Sequence, residues 1–213
     1  MRLSKRQLAT VAKFKSDEDS RYALTAYQVK PSGETQATNG HWLAVYKPAL
    51  AETDETDAPV IPGVPVPAPL VAPVLVPQQV WADASKAVPK KCYVPILAGA
   101  FLRHNGEACY IATTDLELPR VQRFAPVIGT FPKTDSVIPS GEPVAMVTLD
   151  AHYLRNIADA AIAMQGAKNS EVRLQIYADA EHGPRPVTFH VKAEKDELLV
   201  VLMPVLMPRD GAA

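Results

Sequence analysis

The sequence predicts an α+β protein built of repeats, whose antiparallel sheets carry helices on one face. A unit of roughly 60 residues, made of a short apolar strand, a helix and then further strands, occurs three times. The helical segments are amphipathic, each with an apolar stripe suited to lie on a sheet. The strands within a unit are separated by tight-turn signals, PSGE at 31–34 and HNGE at 104–107, which favours antiparallel neighbours.

The first unit opens on MRLS, where Ser4 is the expected N-cap and Gln7 its capping-box partner. The helix at 5–14 puts Leu8, Val11 and Ala12 on one face, with Phe14 flanking it and Lys5, Arg6 and Lys13 off it. Strands are expected within 21–30 and 34–47. The second unit starts with VLVP at 74–77 and continues into a helix at 78–88, stopped by Pro89. Strands follow at 93–104, 107–118 and 121–127. The third unit starts with PVAMVTLD at 143–150, where Asp150 can cap a helix at 151–165 that Gly166 ends. Tyr153, Leu154, Ile157, Ala161 and Met164 fall at helical spacing, and strands are expected at 171–179, 186–194 and 197–205. Seven prolines between Pro59 and Pro77 follow the acidic run 51–59, and together they read as an exposed connector or surface loop.

Composition narrows the function classes. The chain has 213 residues, 47% hydrophobic and 21% charged, enough to bury a core and too apolar for chain-wide disorder. No apolar run reaches the ~18 residues of a membrane span, and the N-terminus lacks the apolar core of a signal peptide. A cytoplasmic protein without membrane association is the expectation. Cys92 and Cys109 have neither metal nor redox spacing. The net charge of −1 argues against a simple nucleic-acid coat, although a basic face remains compatible with it.

Catalysis finds no constellation. Nucleophile elbow, zinc-protease, P-loop and dinucleotide signatures are all missing from the sequence. Asp115 and Glu117 are expected to alternate along a strand, where a shared face more often meets solvent than a metal. His41 lacks a nearby partner that would make it a base. No catalytic residue, metal ligand or cofactor is expected.

The segments SRYALTAYQV and TQATNGHWLAV resemble the middle domain of the bacterial DNA polymerase III beta subunit, the sliding clamp, with its RYxLxG…ATDGHRLA pattern. VLVPQQ, FPKTDSVIP at 131–139, VPILAGAFL with TTDLEL, and the ending ELLVVLMPVLM resemble further pieces of that family. The resemblance spans nearly the whole chain outside the connector. Three departures stand out: Trp42 and Leu206 replace arginines usual in the family, and Asn39 replaces an aspartate.

The resemblance implies residues 1–138 as one clamp-like domain of two half-repeats, with the acidic and proline-rich insertion at about 51–73, and 139–213 as a half-domain with a C-terminal tail. A half-domain lacking its partner exposes an apolar face, so a homo-oligomer is expected, a dimer or tetramer formed by pairing of unpaired halves. The family's peptide cleft, carried over position by position, falls on Thr38, Gly40, His41, Trp42, Leu43, Pro139, Val201, Met203, Pro204 and Val205. Its DNA-facing wall falls on Lys5, Arg6, Lys13, Lys86, Lys90, Lys91 and Arg155, with contacts to duplex DNA independent of sequence. The implied function is that of a processivity factor without catalysis, which encircles or cradles duplex DNA and tethers a polymerase or clamp loader through a docked peptide. Two alternatives remain beside it. One is a non-ring adaptor or decoy that binds clamp-interacting peptides; the other, more distant, is an unrelated enzyme on a similar scaffold.

Overall fold

A computed structural model describes residues 1–16, 22–49, 58–66, 69–89, 93–105, 108–139, 143, 146–166, 170–177, 186–193 and 196–203. The chain divides into two compact units, Met1–Pro139 and Ser140–Ala213. Antiparallel sheets and helices make up both, the α+β class expected.

The first unit holds β1 (Arg2–Ser4), α1 (Lys5–Val11), β2 (Ala26–Val29), β3 (Thr35–Thr38) and β4 (Leu43–Tyr46). The same order then repeats as β5 (Val74–Pro77), α2 (Gln78–Ala87), β6 (Gly99–His104), β7 (Cys109–Thr113) and β8 (Arg120–Phe124). The repeats exchange their leading strands. The sheet orders are β4-β3-β2-β5 and β1-β6-β7-β8, so each leading strand completes the sheet of the other repeat. Leu3 lies opposite Ala100, and Val76 opposite Tyr27. The approach of β1 to β6 requires Gly99, because a Cβ there would collide with the carbonyl oxygen of Leu3.

One core serves both repeats. Leu3, Leu8, Val11, Tyr27, Val29, Val76, Val80, Trp81, Ala100 and Leu102 are buried together. α1 packs on α2, and the Trp81 indole donates to the Leu8 carbonyl at 3.0 Å. The Tyr27 and Trp81 rings meet at 5.0 Å between centroids. The opposite sheet faces are covered by connecting segments. Phe131, from the 131–139 link, packs on Ala26 and Leu75. Ile61 packs on Phe101 and Ala112, so the proline-rich connector is not wholly exposed as its composition suggested. Proline suits this position because it covers a sheet without offering an N–H that would then need a partner.

The second unit holds α3 (Ala151–Gln165), β9 (Arg173–Ile176), β10 (Val187–Ala193) and β11 (Asp196–Leu202), in the sheet order β11-β10-β9. Ile157, Val187 and Phe189 form its core. The Asp150 carboxylate accepts from the His152 N–H at 2.7 Å, and Gly166 closes the helix at φ +84°, both as the sequence predicts.

Several local expectations are corrected. α1 ends at Val11, and Phe14 sits in the following turn, with its N–H on the Val11 carbonyl. Ser4 caps α1 through the Gln7 N–H at 3.1 Å. The Gln7 side chain, however, turns away from the cap to the Gly33 carbonyl and Thr35 Oγ1, at 2.9 and 2.7 Å. Residues 22–25 and 95–97 are 3₁₀ turns rather than strand. The described residues 146–150, read as the leading strand of the third unit, belong to no strand.

Candidate functional site

The hairpin between β3 and β4 carries five of the expected cleft residues, and its sequence dictates its shape. The Asn39 carboxamide oxygen accepts from the N–H groups of His41 and Trp42 at 2.9 and 3.1 Å. Gly40 takes φ +91° between them. Thr38 Oγ1 accepts from the Gly40 N–H at 3.1 Å and donates to the Trp42 carbonyl. Thr38 is buried, Gly40 and His41 are exposed, and Trp42 and Leu43 are half-buried. The Trp42 ring packs on the shared core and lies 5.4 Å from the Phe14 ring, so the hairpin presents a fixed aromatic edge beside the end of α1.

The second repeat builds the same turn from different residues. Thr114 Oγ1 accepts from the Leu116 N–H at 2.9 Å, and Asp115 Oδ1 accepts from the N–H groups of Glu117 and Leu118 at 3.1 and 2.8 Å. Leu116 takes φ +80°, as Gly40 does in the first repeat. These hydrogen bonds, chiefly the one from Leu118, hold the Asp115 carboxyl below its usual range. Asp115 and Glu117 therefore belong to a turn and not to the strand expected. Among the described residues, no cluster of histidine, cysteine and carboxylate side chains suits a metal.

Leu116 and Leu118 are 65% and 73% exposed, an apolar pair that the sequence reading missed. Aligning TTDLEL with ATNGHW, which sets Asp115 on Asn39 and Leu118 on Trp42, would have found the shared turn. A shallow apolar groove of about 200 Å³ also lies between Leu70–Val74 of the connector and His104, Ala108, Cys109 and Pro126. Burial pushes the Cys109 thiol up, which disfavours the nucleophilic thiolate.

The remaining cleft positions are distributed. Pro139 is exposed at the end of the first unit. Val201 and Met203 are 54% and 68% exposed at the end of β11, in the second unit. Val201 pairs with Thr188, and its neighbours Val200 and Leu202 pack on the core, so it points to the other face. Pro204 and Val205 lie outside the described residues.

Of the basic positions, Arg6, Lys13 and Lys86 are exposed around the packed pair α1 and α2. The Lys5 ammonium is spent on the Pro89 carbonyl at 2.9 Å, which ties α1 to the end of α2. Arg155 on α3 is exposed and pairs with Asp159 at 3.6 Å. Lys90 and Lys91 lie outside the described residues. No described helix is long and apolar enough to cross a membrane.

No protein-family model matches the chain, and no curated protein matches it in sequence. Solved structures match its fold. The DNA polymerase III subunit beta from Pseudomonas aeruginosa superposes with a TM-score of 0.69 at 16% identity, over 96% of this chain and 50% of that one. The DNA polymerase sliding clamp from Bacillus subtilis gives 0.67 at 16% identity, over 96% and 48%. The beta sliding clamp of C. crescentus gives 0.59 at 20% identity, over 95% and 50%. At these identities the likeness is one of fold, and the chain spans about half the length of the clamps it matches.

Proposed function

We propose that this chain is a DNA sliding-clamp-like accessory protein without catalysis of its own. It encircles or cradles duplex DNA and tethers a polymerase or a clamp loader through a docked peptide. The observation that carries this reading is the helix layer of the first unit. Strand exchange locks α1 beside α2, and Arg6, Lys13 and Lys86 stand exposed around that pair, the kind of side chain that contacts phosphate without reading bases. Few cations suffice, because a closed ring is held on the duplex by topology. The resemblance carries the peptide-binding positions to the Trp42 hairpin and Pro139 in the first unit and, in the second, to Val201 and Met203. An aromatic edge, a flexible methionine and a turn of constrained backbone suit a short apolar peptide. Tethering raises the effective concentration of the polymerase at the primer end.

The test is fluorescence anisotropy with a labelled clamp-binding peptide. Trp42→Ala and Met203→Ala are each expected to weaken binding by ~2 kcal/mol, about thirtyfold, if they are hot spots. Unchanged affinity in both variants refutes the site. Peptide binding without any retention on DNA supports the adaptor reading instead.

A further inference from the structure

We propose that the second unit is completed by a second copy of this chain, through reciprocal exchange of the segment 147–149 onto the free edge of β9. The inference rests on the fold alone, not on the DNA and peptide reading. The first unit shows what this element does when it is complete.

Superposing the three helix N-caps, Ser4, Pro77 and Asp150, aligns the repeats. In the first unit the residue four past the cap is Leu8 or Trp81, each 0% exposed at the contact between α1 and α2. The residue three past the cap is Gln7 or Val80, at 0% and 6%. The corresponding residues of α3, Leu154 and Tyr153, stand 39% and 53% exposed. Ile157, seven past the cap, is buried at 5%, just as Val11 and Ala84 are, so α3 is seated on its own sheet, and among the described residues of its unit no second helix lies beside it.

The sheet shows the same vacancy. β2 and β6 are each edged by the leading strand of the other repeat, which leaves Tyr27, Val29, Ala100 and Leu102 no more than 3% exposed. Their counterparts on β9 are Leu174 and Ile176, which lie opposite the core residues Phe189 and Val187 and so share the core face. They remain 49% and 47% exposed because β9 is the sheet edge. The described residues 146–150 ahead of α3 belong to no strand, although Val147 and Leu149 already touch the unit's core, where Val74, Val76 and Leu3 touch theirs.

Each copy therefore carries both the vacancy and the piece that fills it. Two such pieces and two such edges satisfy one another about a two-fold axis, as the repeats of the first unit do within one chain. Exchange also removes an open sheet edge flanked by apolar side chains. The register follows from keeping core residues opposite core residues: Leu149 of one copy faces Leu174 of the other, Val147 faces Ile176, and Thr148 faces Gln175 on the other face.

The experiment uses the full chain. Thr148→Cys/Gln175→Cys, treated with a short bis-maleimide, is expected to give a covalent dimer in yield several-fold above either single variant. Light scattering on the unmodified chain is expected to give at least twice the 23.0 kDa chain mass. Leu154→Glu replaces a side chain that the lone chain exposes, so the fold is expected to persist by circular dichroism while the cross-link falls to the level of the single variants. A monomer throughout the concentration series, or a double-variant yield equal to the singles, overturns the proposal. Neither outcome bears on peptide affinity, so the two readings fail separately.

Discussion

Replacing Trp81 by Phe tests how tightly the two repeats of the first unit are bound to each other. The indole is fully buried, packs at a tilt against the Tyr27 ring at 5.0 Å between centroids and donates to the Leu8 carbonyl at 3.0 Å. Phenylalanine keeps the aromatic contact but loses the donor. That hydrogen bond is worth about 0.5–1.5 kcal/mol net. The Leu8 carbonyl is not orphaned, because it also accepts from the Ala12 N–H at 3.2 Å, so no further desolvation penalty is added. The smaller ring vacates roughly 40 Å³, which at about 24 cal/mol per Å³ costs about 1 kcal/mol. The sum is about 2 kcal/mol. Urea unfolding followed by tryptophan fluorescence reads it, since both tryptophans of the chain lie in this unit and Trp42 remains as the reporter. A midpoint shift worth less than about 0.5 kcal/mol would refute the claim that this contact joins the repeats.

Gly99→Ala is expected to drive a methyl group against the Leu3 carbonyl, cost about 1–3 kcal/mol in the same urea assay, and speed amide exchange in β1. Burial raises the Glu34 pKa, but the Lys30 ammonium at 2.8 Å and the Gln36 amide at 2.7 Å outweigh it and hold the carboxyl below its ordinary value. A depressed folded pKa contributes stability that is whole above the ordinary glutamate range and is lost as pH falls through the folded value. Glu34→Gln should therefore flatten the acid limb of the stability profile, and an unchanged limb would contradict the pairing. Arg6→Glu, Lys13→Glu and Lys86→Glu combined should weaken duplex binding and lower the slope of its salt dependence, as read by a filter-binding series.

Much of this architecture was legible in the sequence, for reasons that differ by element. Ser4, Asp150 and Gly166 act within one turn of their own helix, so local chemistry announced the helix ends. The repeat was legible because each half-repeat must bury the same faces. Strand exchange was not, since nothing in RLS or VLVP states which sheet will take it. Leu154 falls at helical spacing with Ile157 and Ala161, yet it stands 39% exposed while they are buried, because spacing does not state how wide a face the rest of the unit covers. Asp115 was misread because alternation suggests a strand, while its side chain captures two backbone N–H groups and folds a turn. The Trp42 hairpin was found through resemblance, and its capping by Asn39 explains why that short motif keeps its shape. The buried role of Ile61 was hidden by the prolines around it, which mark exposed chain more often than cover for a sheet.

The most direct test of the clamp reading is retention on DNA of different topology. The protein is equilibrated with nicked circular and linear duplexes of one sequence, and each mixture is passed over a sizing column at a salt concentration that screens phosphate contacts. A clamp-like ring predicts co-elution with the circle, little with the linear form, and release when the circle is cut by a restriction enzyme. Equal elution with both forms, or with neither, would contradict encirclement.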